Sequence, residues 1–203
     1  MSVSLPAAPH FGAPIQQSVQ RQVLEFLATR RSTPAVTLAE PAPSDGEIAD
    51  LLRLAARVPD HGKLAPWRFI LLPAAAKAAY AAKLEALALS RGDTKAVAKL
   101  AKLKAPPMGV AVVSRPRPSE IPEWEQLMSA GAACTNLLYG ALAMGYGANW
   151  ITDWYAYDPD AMSLLGLEAG ERVAGFIFLG TAKEAPLERE RPDISALVTT
   201  WAG

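Results

Sequence analysis

The chain is poor in the residues that metal and nucleophile chemistry most often needs. Its 203 residues include two histidines, His10 and His61, and one cysteine, Cys134. No cluster of His and Cys stands at ligand spacing, so no metal site is expected. A lone cysteine closes no internal disulfide. Cys134 lies among Ala, Leu and Gly, which predicts a small buried hydrophobe and not a reactive thiol. That usage fits a reducing cytoplasm. No Gly-x-Ser-x-Gly elbow occurs, which argues against a hydrolase triad. Net charge is also missing: 20 basic side chains balance 20 acidic ones. This excludes an electrostatically driven partnership with nucleic acid or a membrane surface. The first seventeen residues, Met1–Gln17, carry no Lys or Arg and no continuous apolar core, so they do not form a secretory signal. They read as a loose arm, or one ordered only against a partner subunit. Residues 18–203 read as one domain, without repeat or internal linker.

What is present is apolar periodicity. Ser18 is placed to cap a helix through Arg30, with Val19, Val23, Leu24, Phe26 and Leu27 as its stripe. Pro34 ends helical geometry there. Ser44 and Glu47 have capping-box spacing and open a second helix, which Pro59 closes. Arg68–Leu72 and Val110–Val113 read as buried strands, with Ala-rich helices over about 73–90 and 93–104 between them. From about Ile121 to Met144 runs a helix that is small or apolar nearly all round, which predicts burial on every side. Its length approaches a membrane span. However, Ser129, Thr135 and Asn136 near its middle, and the lack of a basic flank, favour a central helix at a dimer interface. Ala148–Thr152 reads as a strand edge or loop, and Asp158-Pro159 opens a short helix. Arg172–Gly180 is the clearest strand, and an extended tail follows.

Two clusters carry chemistry. Arg30-Arg31-Ser32 puts two cations and a hydroxyl at a helix end. Planar guanidinium groups bind phosphate oxygens bidentately, yet cations there also complement the helix dipole. The residues alone leave both readings open. Pro59-Asp60-His61-Gly62-Lys63-Leu64-Ala65-Pro66-Trp67 is a polar turn leading into an apolar strand. Its His61 can equally serve a hydrogen bond within the turn. Gly140 to Gly147 invites comparison with a dinucleotide fingerprint, but these glycines close a helix where that motif opens one.

From Ser18 to the C-terminus, these clusters resemble the nitroreductase family, most closely its small branch. The resemblance implies an α+β, nitroreductase-like three-layer sandwich: a central, mostly antiparallel sheet flanked by helices, in an intertwined homodimer that holds FMN between subunits. It implies FMN contacts at Arg30, Arg31, Ser32, Trp150, Ile151 and Thr152, with Arg57 and His61 reaching the flavin across the interface and Arg191 as a basic tail residue. Gly140, Ala141, Leu142, Ala143, Met144 and Gly145 would lie beside the nicotinamide of NADH or NADPH. The activity implied is ping-pong NAD(P)H oxidation, with hydride passing through flavin N5 to a flat nitroaromatic or quinone-like acceptor. No protein side chain need then act as acid or nucleophile. A flavin-fragmenting or dehalogenating relative, and a non-enzymatic flavin-binding module, are the alternatives.

Overall fold

The computed structural model describes residues 5–203. The part of the expected arm at residues 1–4 lies outside the described residues. At the centre of the sheet lie β3 (Met108–Ser114) and β5 (Arg172–Ala182), whose apolar runs suit strands covered on both faces. β2 (Trp67–Leu72) pairs with the outer edge of β3. On its far side β5 carries β4 (Gly147–Ile151) and then the two-residue β1 (Leu38–Ala39). Every pairing is antiparallel.

The two-residue pleat of β5 divides the core. Phe176 and Phe178 face one layer and Ile177 and Leu179 the other, all four fully buried. The first layer comprises α3 (Ala74–Ser90), α4 (Thr94–Lys99), α5 (Ala101–Lys104) and α7 (Pro159–Leu164), with Leu84, Leu103 and Ala161 against the phenylalanines. On the second, α2 (Asp45–Ala55) and α6 (Glu123–Ala143) bring Leu51, Cys134 and Leu137 onto Ile177 and Leu179. The expected three-layer α+β sandwich is what forms. Each such buried side chain contributes about 1.5–3 kcal/mol, so four in succession make β5 the strand on which both cores depend. Burial pushes the Cys134 thiol up to about 12, as expected of an inert cysteine.

Several boundaries follow from capping chemistry. Ser44 and Glu47 form the full capping box of α2. α6 ends in a Schellman motif: Tyr146 N–H donates to the Ala141 carbonyl and Gly145 N–H to that of Leu142, with Gly145 at φ 89°. Others differ from expectation. The first helix, α1 (Arg21–Thr29), begins after Gln20, and Ser18 does not cap it. Its hydroxyl accepts instead from the Gln20 side-chain amide at 2.7 Å. The single helix expected over 93–104 is divided at Leu100 into α4 and α5. The tail, expected extended throughout, contains one 3-10 turn at Ile194–Leu197, where Asp193 accepts from Ser195 N–H. No residue of α1 is buried within this chain, and Val23, Leu24 and Leu27 face outward at 51%, 61% and 49% exposure. No helix of the described residues is long and apolar enough to cross a membrane.

Candidate functional site

Arg30 terminates α1, and its side chain turns inward. The guanidinium carbon lies 5.3 Å from the centre of the Tyr139 ring on α6, a cation–π contact, and Nη2 donates to Ser32 Oγ at 3.3 Å. Its Nε is buried and has no hydrogen-bond partner among the described residues. An unsatisfied buried donor costs about 1–3 kcal/mol, and this one is left open to an acceptor. The segment after Ser32 is fixed to the sheet. Thr33 N–H donates to the Ala148 carbonyl at 2.9 Å, and Asn149 Nδ2 donates to the Thr33 carbonyl at 2.8 Å. The residue after the first cluster is thereby tied to the two residues that precede Trp150, on the outer edge of β4.

Backbone groups alternate sides along a strand. Since the carbonyl of Ala148 points outward to Thr33, the N–H and carbonyl of Trp150 point outward too, on an edge where no further strand pairs among the described residues. The Trp150 indole lies back over the sheet, donating to the Ala174 carbonyl at 3.3 Å. Gly175 makes that possible, because a Cβ there would stand 2.0 Å from the indole nitrogen. Ile151 packs toward the core, and Thr152 accepts from the Tyr157 hydroxyl at 2.6 Å.

The His61 loop hangs from one face of α6. Glu125, Ser129 and Asn136 are spaced to share that face. Asn136 donates to the carbonyls of Leu54 and Arg57 at 3.2 and 2.9 Å, which ties the exit of α2 to α6. Ser129 Oγ accepts from Trp67 Nε1 at 3.1 Å and donates to the Pro59 carbonyl at 2.7 Å, which joins both ends of the loop. Glu125 lies 2.7 Å from His61 Nδ1; a carboxylate only accepts, so that nitrogen carries the proton. Gly62, Lys63 and Ala65 all have positive φ, at 74°, 53° and 45°. Asp60 holds this strained turn by accepting from the N–H groups of Leu64 and Ala65 at 3.1 and 2.8 Å. Loop and helix enclose a cavity of about 290 Å³ lined by Pro59, His61, Glu125, Met128, Ser129 and Ala132.

The nitroreductase family model matches residues 27–181, a span that contains Arg30–Ser32, the His61 loop, α6 and β4. The chain belongs to the nitroreductase family. It is 34% identical over 180 residues to an Escherichia coli K12 protein described as "Putative NAD(P)H nitroreductase YdjA", covering 87% of this chain and 97% of that one. Among solved structures, a nitroreductase-like family protein from Bacillus cereus superposes with a TM-score of 0.76 at 20% identity, covering 94% of this chain and all of its own. A nitroreductase with bound FMN from Bacteroides fragilis gives 0.68 at 20% identity, over 89% of this chain and 98% of that one. At such identities the structural likeness speaks for the fold.

Other expected site residues are differently committed in this nitroreductase-family chain. Arg31 Nε donates to the Leu187 carbonyl at 2.9 Å and lies 3.9 Å from Glu188, so it anchors the tail. Arg191 pairs with the same Glu188 at 2.9 Å, which brings the tail cation beside the Arg30–Ser32 corner without freeing its charge. At the end of α6, Gly140 and Ala141 are fully taken up by packing. A Cβ on Gly140 would stand 3.0 Å from both Leu51 and Leu54 of α2, and Ala141 is wholly buried. Both are buried within this chain, whereas Leu142, Ala143, Met144 and Gly145 keep some exposure. Sequence reasoning missed Tyr139, Asn149, Glu125 and Asp60. The spacing of Glu125, Ser129 and Asn136 on one helix face was the available signal for the seam.

Proposed function

We propose that this chain is an FMN-dependent NAD(P)H oxidoreductase, working as a homodimer on flat nitroaromatic or quinone-like acceptors. The observation that carries the reading is the buried, unpartnered Nε of Arg30 beside Ser32, at the open edge of β4. A phosphate monoester supplies the missing acceptor oxygens and the negative charge that a fixed guanidinium favours. Arg30 and Ser32 would hold the phosphate, and Tyr139 keeps the guanidinium in place before anything binds. The outward N–H of Trp150 offers a backbone donor along the ring. Bound FMN supplies hydride acceptance at N5 and onward electron delivery.

The homodimer is supported by what one chain leaves uncovered. The apolar face of α1 and the tail residues Leu187, Ile194, Leu197, Val198 and Trp201 are all exposed. These apolar side chains have no cover among the described residues. A second copy covers such a face, and it carries its own Arg57 and His61 toward the flavin of the first. Gel filtration with light scattering tests the assembly.

The decisive experiment is a visible spectrum of the purified protein before and after NADPH. A flavin band that bleaches supports the reading; its absence, with no uptake on FMN titration, overturns it. Arg30→Ala removes a charged hydrogen bond, a loss of about 1.5–3 kcal/mol, or roughly ten- to hundredfold in FMN affinity. Unchanged retention would refute the Arg30 assignment.

A further inference from the structure

The described part of the N-terminal arm does not float free. Arg53 of α2 donates from Nη1 to the Pro6 carbonyl at 2.8 Å, while its Nη2 pairs with Asp50 at 3.0 Å. Asp50 in turn faces the backbone N–H of Leu5 at 3.5 Å. The clasp lays residues 5–9 across the end of α2. Between this segment and Arg53, Leu54 and Arg57 lies a cavity of about 410 Å³. The arm side of the cavity is Leu, Pro, Ala, Ala and Pro, with no charge. Two prolines limit the conformational freedom given up when the arm settles against α2. At the other end Arg57 makes no side-chain hydrogen bond or ion pair to a described residue. The arm also falls outside the 27–181 span that the family model matches.

We propose that the arm is a specificity-determining wall of the acceptor pocket, restricting acceptors to compact one- or two-ring aromatics. The inference rests on the FMN reading, which puts Arg57 at the flavin of the partner subunit. A cavity of this size stands near the lower end of ligand pockets, about 300–1,000 Å³. It is large enough for a small ring system, and the arm closes one side of it. The arm side of the cavity carries no charge, so that wall sorts acceptors by shape, while Arg53 and Arg57 stand on the α2 side and the Arg53 clasp holds the wall in place.

The test compares two quinones with the FMN-loaded enzyme and NADPH: menadione, which is compact, and decylubiquinone, which carries a long chain. The forms are the full chain, the chain lacking residues 1–17, and Arg53→Met, which keeps the apolar stem but loses the bond to Pro6. Removing the arm is expected to lower the ratio of KM for decylubiquinone to KM for menadione by about fivefold or more, a steric discrimination of ordinary size. Arg53→Met should move the ratio in the same direction by less, with FMN content equal in all three forms. Should the shortened chain not fold, Arg53→Met alone decides the matter. A ratio unchanged in the forms that fold overturns the wall. Failure of the full chain to bind FMN overturns the flavin reading instead, so the two failures are distinguishable.

Discussion

Replacing Ser129 with alanine is expected to destabilise the protein by about 2 kcal/mol, a cost that follows from two hydrogen bonds lost at one atom. Ser129 Oγ accepts from Trp67 Nε1 at 3.1 Å and donates to the Pro59 carbonyl at 2.7 Å, and the residue is 6% exposed. Both partners stay in place when the hydroxyl is removed. A stranded buried polar group costs about 1–3 kcal/mol, but the two are not equivalent. The Pro59 carbonyl borders the cavity shared with His61 and can be hydrated from it, so its loss falls at the low end. The Trp67 indole is half-buried against the second core, and its Nε1–H bears the larger share of the penalty. The expected loss corresponds to a fall in Tm of about 4–8 °C for a domain of this size. Urea unfolding followed by tryptophan fluorescence measures it. A Trp67→Phe background separates the two bonds: there Ser129→Ala should cost about 1 kcal/mol less, the coupling between the pair. Destabilisation below about 0.5 kcal/mol, within the range of inert surface changes, would refute the claim that Ser129 closes the loop. So would equal costs in both backgrounds.

Other outcomes follow from geometry already described. Gly140→Ala should destabilise by about 1–3 kcal/mol by urea titration, because the new methyl meets Leu51 and Leu54 across the α2–α6 contact. Arg68 grips Glu171 through two hydrogen bonds of 2.7 and 2.6 Å, and holds its carboxyl below the usual 4.5. A depressed folded-state value means the stabilisation is full above that pH and is lost as pH falls beneath it. Urea midpoints measured from neutral pH down to about pH 3 should therefore decline more steeply in the natural protein than in Glu171→Gln. Equal slopes would remove Glu171 from the acid response.

How much of this was legible in the chain differs by element. The α2 capping box was readable because Ser44 and Glu47 carry the chemistry at the spacing. The central strands were readable because burial on both faces leaves a continuous apolar run. β1 was not, since two residues carry no periodicity. The Arg30 corner was half visible. Arg30 and Ser32 stand two residues apart in sequence, but Tyr139, which holds the guanidinium, comes from a distant helix. The His61 loop was visible as a turn and opaque in shape. Nothing about lysine or alanine announces positive φ at Lys63 and Ala65; that conformation is imposed by Asp60 from outside the turn's own preferences. Ser18 misled because a hydroxyl in the right place took a side-chain partner instead of a backbone one.

The position of β5 near the C-terminus has a consequence for biosynthesis. Three other strands meet only through it: β1 joins at Ala182 and Thr181, β4 along 176–180, and β3 on the opposite side. A ribosome adding about 5–20 residues per second would spend roughly 10–40 s on the chain before that strand emerges. Until then the β2–β3 pair is the only strand ladder the nascent polypeptide can form. Both layers of helices must wait with their apolar faces uncovered, and a message cut short before the codon for Arg172 would yield helices with no completed sheet to cover.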